Sequence, residues 1–261
     1  MKKVPLFQKL KYDYPGIDEK ELYAMILCGE VLAENQVLKD PKVPVPGDSL
    51  LELNTKKYVS RGGYKLEKAL KLWDAPVKGR ILLDAGSSTG GFTDCLLQNG
   101  ASSVYAVDVG YNQLDYSLRT NPAVVVMEKT NIMHVETLAP APHWAVADLS
   151  FRSIRSAASH IINLTSEKFL IALVKPQFEW KNPDESFSGV VSSSEKIIEI
   201  AEAVIDELVT ESAYVLKAVA SPVSGRKGNR ELLFWISSDL QQTYPDKADL
   251  IESLQADLKK Y

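Results

Sequence analysis

The chain has 261 residues, of which 45% are hydrophobic and 25% are charged, and its formal net charge at pH 7 is −4. This composition is ordinary for a soluble protein with a sizeable core. The two cysteines, Cys28 and Cys95, exclude a disulfide framework, and the three histidines lack metal-ligand spacing, so we expect no bound metal.

The pattern of apolar residues shows neither a secretion signal nor a membrane-spanning helix. No early basic segment precedes an apolar stretch, and the longest apolar runs, such as 169–174, have the length of a strand. A bilayer-spanning helix needs about 20 apolar residues. We therefore expect a cytoplasmic protein that does not enter the membrane.

The first 54 residues have the pattern of a small separate unit. A helix is predicted at Glu19–Cys28, followed by short strands near Val31–Leu32, Val37–Leu38 and Ser49–Leu53. The prolines between 41 and 48 predict a turn before the last strand. We expect a small N-terminal domain at 1–54 and a linker at 55–61.

From residue 62 onward, helices alternate with strands. Predicted helices are Lys65–Trp73, Phe92–Gln98, Ile154–Ile162, Ser194–Val209 and Lys247–Lys259. Predicted strands are Ile81–Asp84, Val104–Asp108, Val124–Met127, Trp144–Asp148, Phe169–Lys175, Ala213–Val219 and Leu232–Ile236. Continuously apolar strands favour a sheet covered on both faces. Because 221–230 is too short for a crossover helix, the last strand should be antiparallel. We expect one α/β domain at 62–240 and a helical tail at 241–261.

A glycine-rich turn after the strand Ile81–Asp84 predicts a nucleotide cradle. Its pattern, Asp-x-Gly-x-x-x-Gly-Gly from Asp84, fits neither the dinucleotide nor the triphosphate loop, and no lysine follows. It suits S-adenosylmethionine, which has no phosphate, and Asp108, which ends the next strand, can bind a ribose diol. This combination predicts a Rossmann-like class I methyltransferase sheet. The predicted cofactor-binding residues are Asp84, Gly86, Ser88, Gly90, Gly91, Phe92, Asp108, Val109 and Asp148. The alternative is a βαβ unit with a tight turn and no ligand.

Four charged residues lie at predicted strand or helix ends: Lys65, Asp148, Lys175 and Glu231. A lysine after a buried strand is unfavourable unless it is paired or functional. Methyl transfer to a ribose 2′-hydroxyl needs a group that orients or deprotonates the hydroxyl, and a desolvated lysine can do this. We therefore predict a catalytic Lys-Asp-Lys-Glu tetrad. In the alternative interpretation, Lys175 pairs with Asp148 or Glu231 only to seal the sheet edge.

The region 55–80 carries eight basic residues against two acidic ones, although the whole chain is acidic. Such a basic stripe is typical of a nucleic-acid contact. We predict that Lys56, Lys57, Arg61 and Lys68 contact RNA. The alternative is a solvated helix face. Residues 1–54 carry more acids than lysines, so we expect little electrostatic RNA affinity there.

Five ordered segments closely resemble signatures of the TlyA family, which are FtsJ-like ribosomal-RNA 2′-O-methyltransferases often labelled haemolysins. The segments are 58–70 (Tyr-Val-Ser-Arg-Gly-Gly-x-Lys-Leu-Glu-Lys-Ala-Leu), 84–93, 107–111, 175–179 (Lys-Pro-Gln-Phe-Glu) and 221–231. The resemblance implies 2′-O-methylation of cytidine in ribosomal RNA, ribosomal subunits as partners, and Lys65, Asp148, Lys175 and Glu231 as the tetrad. It also implies an N-terminal αL RNA-binding-type domain.

Three other functions were weighed against this one. A membrane-lysing haemolysin would need a secretion signal and a membrane-inserting stretch. A nicotinamide oxidoreductase is disfavoured by the glycine spacing. A non-catalytic RNA-binding or ribosome-assembly factor on the same fold stays open, although a complete tetrad argues against it. The oligomeric state and the target nucleotide do not follow from the sequence.

Overall fold

The computed structural model describes residues 3–34, 36–53, 57–150, 152–183, 187–239 and 243–259. The chain divides into two compact units, Met1–Lys57 and Tyr58–Tyr261. The second unit includes the segment 241–261, which we predicted as a helical tail.

The first unit combines two helices with two small antiparallel sheets. Its elements are β1 (Lys3–Pro5), α1 (Leu6–Asp13), α2 (Glu19–Cys28), β2 (Val31–Ala33), β3 (Gln36–Leu38), β4 (Pro44–Pro46) and β5 (Leu51–Leu53). Strand β2 lies between β3 and β5, and β1 pairs with β4. Its core is formed by Leu6, Leu10, Leu22, Ile26, Val31, Val45 and Leu51.

Two local signals fix helix α2. The Asp18 side chain accepts a hydrogen bond from Lys20 N at 2.9 Å, and Gly29 ends the helix with a left-handed φ of 74°. The predicted proline turn is wrong in one part, because Pro44–Pro46 is a strand. Prolines are tolerated there because the strand belongs to a two-stranded ribbon and has a free edge.

The second unit is a seven-stranded α/β domain. Its strands are β6 (Ile81–Ala85), β7 (Ser103–Val107), β8 (Val124–Met127), β9 (Trp144–Ala147), β10 (Phe169–Val174), β11 (Tyr214–Ala220) and β12 (Leu232–Ser237). Its α-helices are α3 (Gly62–Trp73), α4 (Gly91–Gln98), α5 (Tyr116–Arg119), α6 (Ala158–Asn163), α7 (Pro176–Glu179), α8 (Ser194–Thr210) and α9 (Lys247–Leu258).

The strand order is β11-β12-β10-β9-β6-β7-β8. Strand β12 is antiparallel to both of its neighbours, and the pairs from β10 to β8 are all parallel. The predicted mostly parallel sheet with an antiparallel last strand is therefore confirmed. The reversed strand lies inside the sheet, between β10 and β11.

Apolar side chains cover both faces of this sheet. One face packs against α6, α8 and α9 through residues such as Ile161, Val204 and Leu254, and the other packs against α3 and α4 through Leu66, Trp73 and Leu96. Strand β10 is buried along its whole length, as its continuous apolar run predicts.

One predicted helix in this unit is interrupted. In place of a helix over 154–162, a 3₁₀ turn at Ile154–Ser156 precedes α6. The Ser153 hydroxyl caps this turn by accepting a hydrogen bond from Arg155 N, and the buried carboxylate of Glu179, at the end of α7, accepts the N–H of Ile154. Tertiary contacts thus override the helical pattern of the sequence.

Candidate active site

The predicted cofactor turn leaves the sheet where β6, β7 and β9 end side by side. The N–H groups of Gly86 and Ser87 both donate to Val107 O, at 2.8 and 3.1 Å, and tie the turn to the end of β7. Asp148 N donates to Ala85 O at 3.0 Å, which ties the end of β9 to the same turn. In an open α/β sheet, this carboxyl edge is where ligands bind.

Glycine is required at Gly86 for two reasons. Its φ is +86°, and a Cβ placed there would lie 2.5 Å from Asp148 O. A side chain would therefore push apart the ends of β6 and β9. Ser88, in the same turn, also has a positive φ, of 48°. The turn is completed by Gly90, which caps α4.

The start of α4 packs directly on the segment that precedes α3. A Cβ on Gly91 would lie 2.1 Å from Ser60 Oγ, and Val59 N donates to Asp94 Oδ2 at 2.8 Å. Phe92, which we predicted as a cofactor contact, is buried in the core cluster that contains Leu66 of α3. This close approach brings α3, and with it Lys65, to the cofactor turn.

Asp108 anchors the turn from the end of β7. Its Oδ2 accepts the Ser88 N–H at 2.8 Å, and its Oδ1 accepts the Gly110 N–H at 2.6 Å. A carboxylate offers about four acceptor positions, so both oxygens can still accept a hydroxyl donor. Val109 follows with 70% of its surface exposed, and its side chain is available to an apolar ligand group.

Asp84 is fully buried at the end of β6. Thr93 Oγ1 donates to its Oδ2 at 2.6 Å, and within the described residues its Oδ1 has no hydrogen-bond partner. The pKa of Asp84 is raised from 3.8 to about 7, mainly by burial; the charges of Asp148 and Asp108 contribute to the rise, and the Thr93 hydrogen bond opposes it. Sequence reasoning missed Thr93, although it lies inside the glycine motif.

Lys65 and Glu231 form one of two lysine–carboxylate pairs. Lys65 Nζ lies 2.5 Å from Glu231 Oε2 and donates a hydrogen bond to it. The two side chains are only 10% and 3% exposed. Lys65 lies in the first turn of α3, and Glu231 immediately precedes β12. Gly225 makes room for this carboxylate, because a Cβ there would lie 2.2 Å from Glu231 Oε1.

Lys175 and Asp148 form the other pair. Lys175 Nζ lies 2.5 Å from Asp148 Oδ1, but the amine donates its hydrogen bond to Leu149 O at 3.0 Å, and among the residues that the structure describes Asp148 Oδ1 has no aligned donor. The Asp148 side chain is 27% exposed. Sequence reasoning did not find the Leu149 carbonyl, because a backbone acceptor leaves no mark in the sequence.

The sheet register places the two pairs side by side. Val174 lies opposite Leu232, so Lys175 and Glu231 leave the sheet at neighbouring positions on adjacent strands. Strand β9, which ends before Asp148, flanks β10 on its other side. All four predicted tetrad residues thus lie at the same end of the sheet, where the parallel strands finish.

Glu179 fixes the loop that follows Asp148, and it is a residue that sequence reasoning did not single out. Its buried carboxylate accepts hydrogen bonds from Ser153 Oγ at 2.5 Å and Ile154 N at 2.8 Å, and Arg155 Nε lies 3.5 Å away. Burial raises the pKa of Glu179. The motif Lys-Pro-Gln-Phe-Glu therefore holds this loop twice, at Leu149 through Lys175 and at Ile154 through Glu179.

The four predicted RNA contacts have different surroundings. Lys56 lies outside the described residues. Lys57 and Arg61 are exposed. Lys68 is partly buried, and its Nζ donates to Ala220 O and Asp257 Oδ2, both at 2.9 Å.

Two features are absent from the described part of the chain. None of its helices is both long and apolar enough to cross a bilayer. Its His, Cys, Asp and Glu side chains form no group of three or more that could hold a metal ion.

Comparison with known proteins gives a consistent set of relatives. A model of the FtsJ-like methyltransferase family matches residues 58–238. The chain is 41% identical over 215 residues to the Bacillus subtilis protein named "Putative rRNA methyltransferase YqxC". The alignment covers 80% of this chain and 76% of that protein. It is 35% identical over 229 residues to the Mycobacterium tuberculosis protein named "16S/23S rRNA (cytidine-2'-O)-methyltransferase TlyA", covering 85% of each.

A solved structure agrees over the full length. It is described as "Putative hemolysin from Streptococcus thermophilus", is 32% identical, and superposes with a TM-score of 0.74 while covering 100% of this chain and 97% of that one.

Proposed function

The chain belongs to the FtsJ-like methyltransferase family, and on this premise we propose that it transfers a methyl group from S-adenosylmethionine to the 2′-hydroxyl of a cytidine in ribosomal RNA. The observation that carries the proposal is the pair of lysine–carboxylate contacts, Lys65–Glu231 and Lys175–Asp148, at the sheet edge beside the glycine turn. The name of the relative at 35% identity specifies this reaction, and the name of the relative at 41% identity specifies methylation of ribosomal RNA.

The residues present fit S-adenosylmethionine. The turn at Gly86 leaves no room for a side chain, the Asp108 carboxylate has acceptor positions left for two ribose hydroxyls, and Val109 is exposed beside it. Asp108 and Asp148 place negative charge at the same end of the strands, beside Asp84, which favours a ligand with a sulfonium and an ammonium group. When bound, the cofactor supplies the methyl group on a positively charged sulfur.

Lys175 has the central role in the proposed reaction. Its Nζ, held by Leu149 O and beside Asp148, would first release a proton to solvent; the neutral amine would then accept a hydrogen bond from the 2′-hydroxyl and take its proton as the hydroxyl oxygen is methylated. Lys65, held by Glu231, fixes the hydroxyl from the neighbouring position. The carboxylates position the two amines and do not accept the proton.

RNA recognition is proposed for the basic stripe at 55–80, with Lys56, Lys57 and Arg61 as phosphate contacts. Lys68 is engaged by Asp257 and contributes less. Neutralising the other three residues should reduce the salt dependence of RNA binding, because fewer counterions are released. A salt slope that stays at its wild-type value in that variant would place the RNA on another surface.

The decisive experiment maps ribose methylation in ribosomal RNA by mass spectrometry, in cells with and without the gene for this chain. We expect one or more cytidines to lose a 2′-O-methyl group and to regain it when the wild-type protein is restored, but not the Lys175→Ala variant. Restoration by Lys175→Ala would support a non-catalytic role in ribosome assembly instead.

A further inference from the structure

The C-terminal helix α9 lies beyond the residues that the family model matches, which end at 238. Its last turn nevertheless contacts the elements that carry Lys65 and Glu231. The contacts centre on Asp257, whose side chain is 12% exposed. We call Lys68, Ala220 and Asp257 the C-terminal clamp.

Three hydrogen bonds connect the residues of the clamp. Lys68 Nζ donates to Asp257 Oδ2 at 2.9 Å and to Ala220 O at 2.9 Å, and Ala220 N donates to the same Asp257 oxygen at 3.0 Å. Ala220 is the last residue of β11, which is an edge strand. The clamp therefore provides hydrogen-bond partners for the backbone N–H and C=O of Ala220 on the edge strand. Without α9 these two groups would be exposed to solvent.

Each partner of Asp257 is connected to one member of the Lys65–Glu231 pair, Lys68 along α3 and Ala220 through strand pairing. Lys68 follows Lys65 by three residues on α3, so the two side chains lie on the same side of the helix, about one turn apart. Ala220 lies opposite Leu232, the residue after Glu231, and Ser221 N donates to Glu231 O at 2.8 Å. Asp257 thus joins the two backbones whose spacing sets the Lys65–Glu231 contact.

A second contact acts at the same place. Arg230, next to Glu231, donates from Nη1 to Leu258 O at 3.2 Å and to Ser194 Oγ at 3.0 Å. The last turn of α9 is therefore attached both to the end of β11, at Ala220, and to the segment just before β12, at Arg230.

We propose that Asp257 is a positioning residue for the methyl transfer reaction, and that it acts by holding α3 and the start of β12 at the spacing that the Lys65–Glu231 pair requires. The inference rests on the proposed function for its kinetic readout. Reaction rates depend steeply on such positions, since a misplacement of about 1 Å can reduce a rate about 100-fold. Lys68 then serves mainly to hold this scaffold, which is why it contributes less to RNA binding.

The test uses the full-length chain and two readouts. The first is steady-state methyl transfer to ribosomal RNA, with kcat and the KM for S-adenosylmethionine measured separately. The second is the side-chain ammonium resonance of Lys65 in ¹⁵N NMR, assigned by its loss in Lys65→Met, which does not depend on activity. The variants are Asp257→Ala, Asp257→Asn and Asp257→Glu, with Asp249→Asn on the exposed first turn of α9 as the control.

We expect Asp257→Ala to lower kcat about 10- to 100-fold, with the KM for the cofactor unchanged, and to shift or broaden the Lys65 resonance. Asp257→Glu should recover most of the rate, because it restores the carboxylate, and Asp249→Asn should match the wild type. If Asp257→Ala does not fold, Asp257→Asn supplies both readouts.

The proposal is overturned if kcat per folded molecule and the Lys65 resonance both stay at their wild-type values. A wild-type protein that transfers no methyl group would contradict the proposed function instead. The Lys65 resonance would then still decide whether Asp257 positions the pair.

Discussion

The two lysine–carboxylate pairs have equal lengths and different surroundings. Lys65 and Glu231 are both buried, hydrogen-bonded to each other, and supported from outside by the C-terminal clamp. Lys175 and Asp148 touch at the same 2.5 Å, but the Lys175 hydrogen bond goes to Leu149 O and Asp148 is about one quarter exposed. Distance alone therefore does not define the role of an ion pair.

The difference in surroundings indicates that the two pairs have different roles. A buried pair whose two side chains are hydrogen-bonded to each other is rigid, and removing one partner leaves an uncompensated charge in the protein interior. The amine of Lys175 is held by a carbonyl and lies beside a carboxylate that reaches solvent, so it has more freedom to exchange a proton with substrate. We assign Lys65–Glu231 mainly to positioning and Lys175–Asp148 mainly to chemistry.

The largest expected effect is on the rate, at Lys175. Lys175→Ala should leave cofactor binding near normal and lower single-turnover methyl transfer by about two to four orders of magnitude, the usual contribution of a general base. Lys175→Arg should also fail, because a guanidinium does not release its proton near neutral pH. The control is Lys42→Ala, on an exposed turn outside the basic stripe. An arginine variant with the wild-type rate would reduce Lys175 to an electrostatic role.

The next effect concerns Asp84, which senses the charge of Asp148. Its pKa is about 7 in the folded protein, against 3.8 in the unfolded chain. Between pH 4 and 7 the native state holds a proton that the unfolded state has lost, so stability falls as pH rises through this window and levels off above it. Three pKa units correspond to about 4 kcal/mol at most.

Chemical denaturation between pH 4 and pH 8 measures this linkage. Asp84→Asn should remove the decline in the free energy of unfolding. Asp148→Asn should shift the decline to lower pH, because the Asp148 charge raises the Asp84 pKa. Glu231→Gln should leave the pH of the decline unchanged. Equal shifts in the last two variants would erase the distinction between the pairs.

The third prediction compares the stability of the two pairs directly. Glu231→Gln should lower the free energy of unfolding by about 3 kcal/mol, because Lys65 remains buried without its counter-charge. Asp148→Asn should lower it by about 1 kcal/mol or less, since that pair is partly solvated and Lys175 keeps Leu149 O. Urea denaturation at one pH checks both values. Similar losses in the two variants would show that the difference in exposure has no energetic consequence.

The strands and the glycine turn could be predicted from the sequence because they depend on local pattern. Continuous apolar runs mark buried strands, and the predicted and observed bounds of β6 to β12 differ by one residue at most. The turn at Gly86 follows from a backbone that only glycine fits. By contrast, the strand Pro44–Pro46 was missed because its pairing with Lys3–Pro5 is set by tertiary contact.

The pairing within the tetrad could not be predicted in the same way. The sequence left open whether Lys175 pairs with Asp148 or Glu231, because the choice depends on β12 entering between β10 and β11 and on α3 bringing Lys65 to Glu231. The partner of Lys68 was also hidden. Asp257 is 189 residues away in the chain, on a helix whose periodicity predicts its existence but not where it docks.

The smallest expected effect is at Asp108, on the cofactor side of the site and next to neither pair. Its two oxygens fix the N–H groups of Ser88 and Gly110, and in the proposed complex they also accept the ribose hydroxyls. Asp108→Ala should therefore weaken binding of S-adenosylmethionine by about 1–3 kcal/mol, the loss typical of charge-assisted hydrogen bonds. Asp108→Asn, which keeps one acceptor oxygen, should lose less. Calorimetry measures both affinities, and Glu231→Gln, on the positioning side, should bind the cofactor like the wild type. Unchanged affinity in Asp108→Ala would remove this residue from the cofactor site. A loss of affinity in Glu231→Gln as large as in Asp108→Ala would mean that the positioning pair also shapes the cradle.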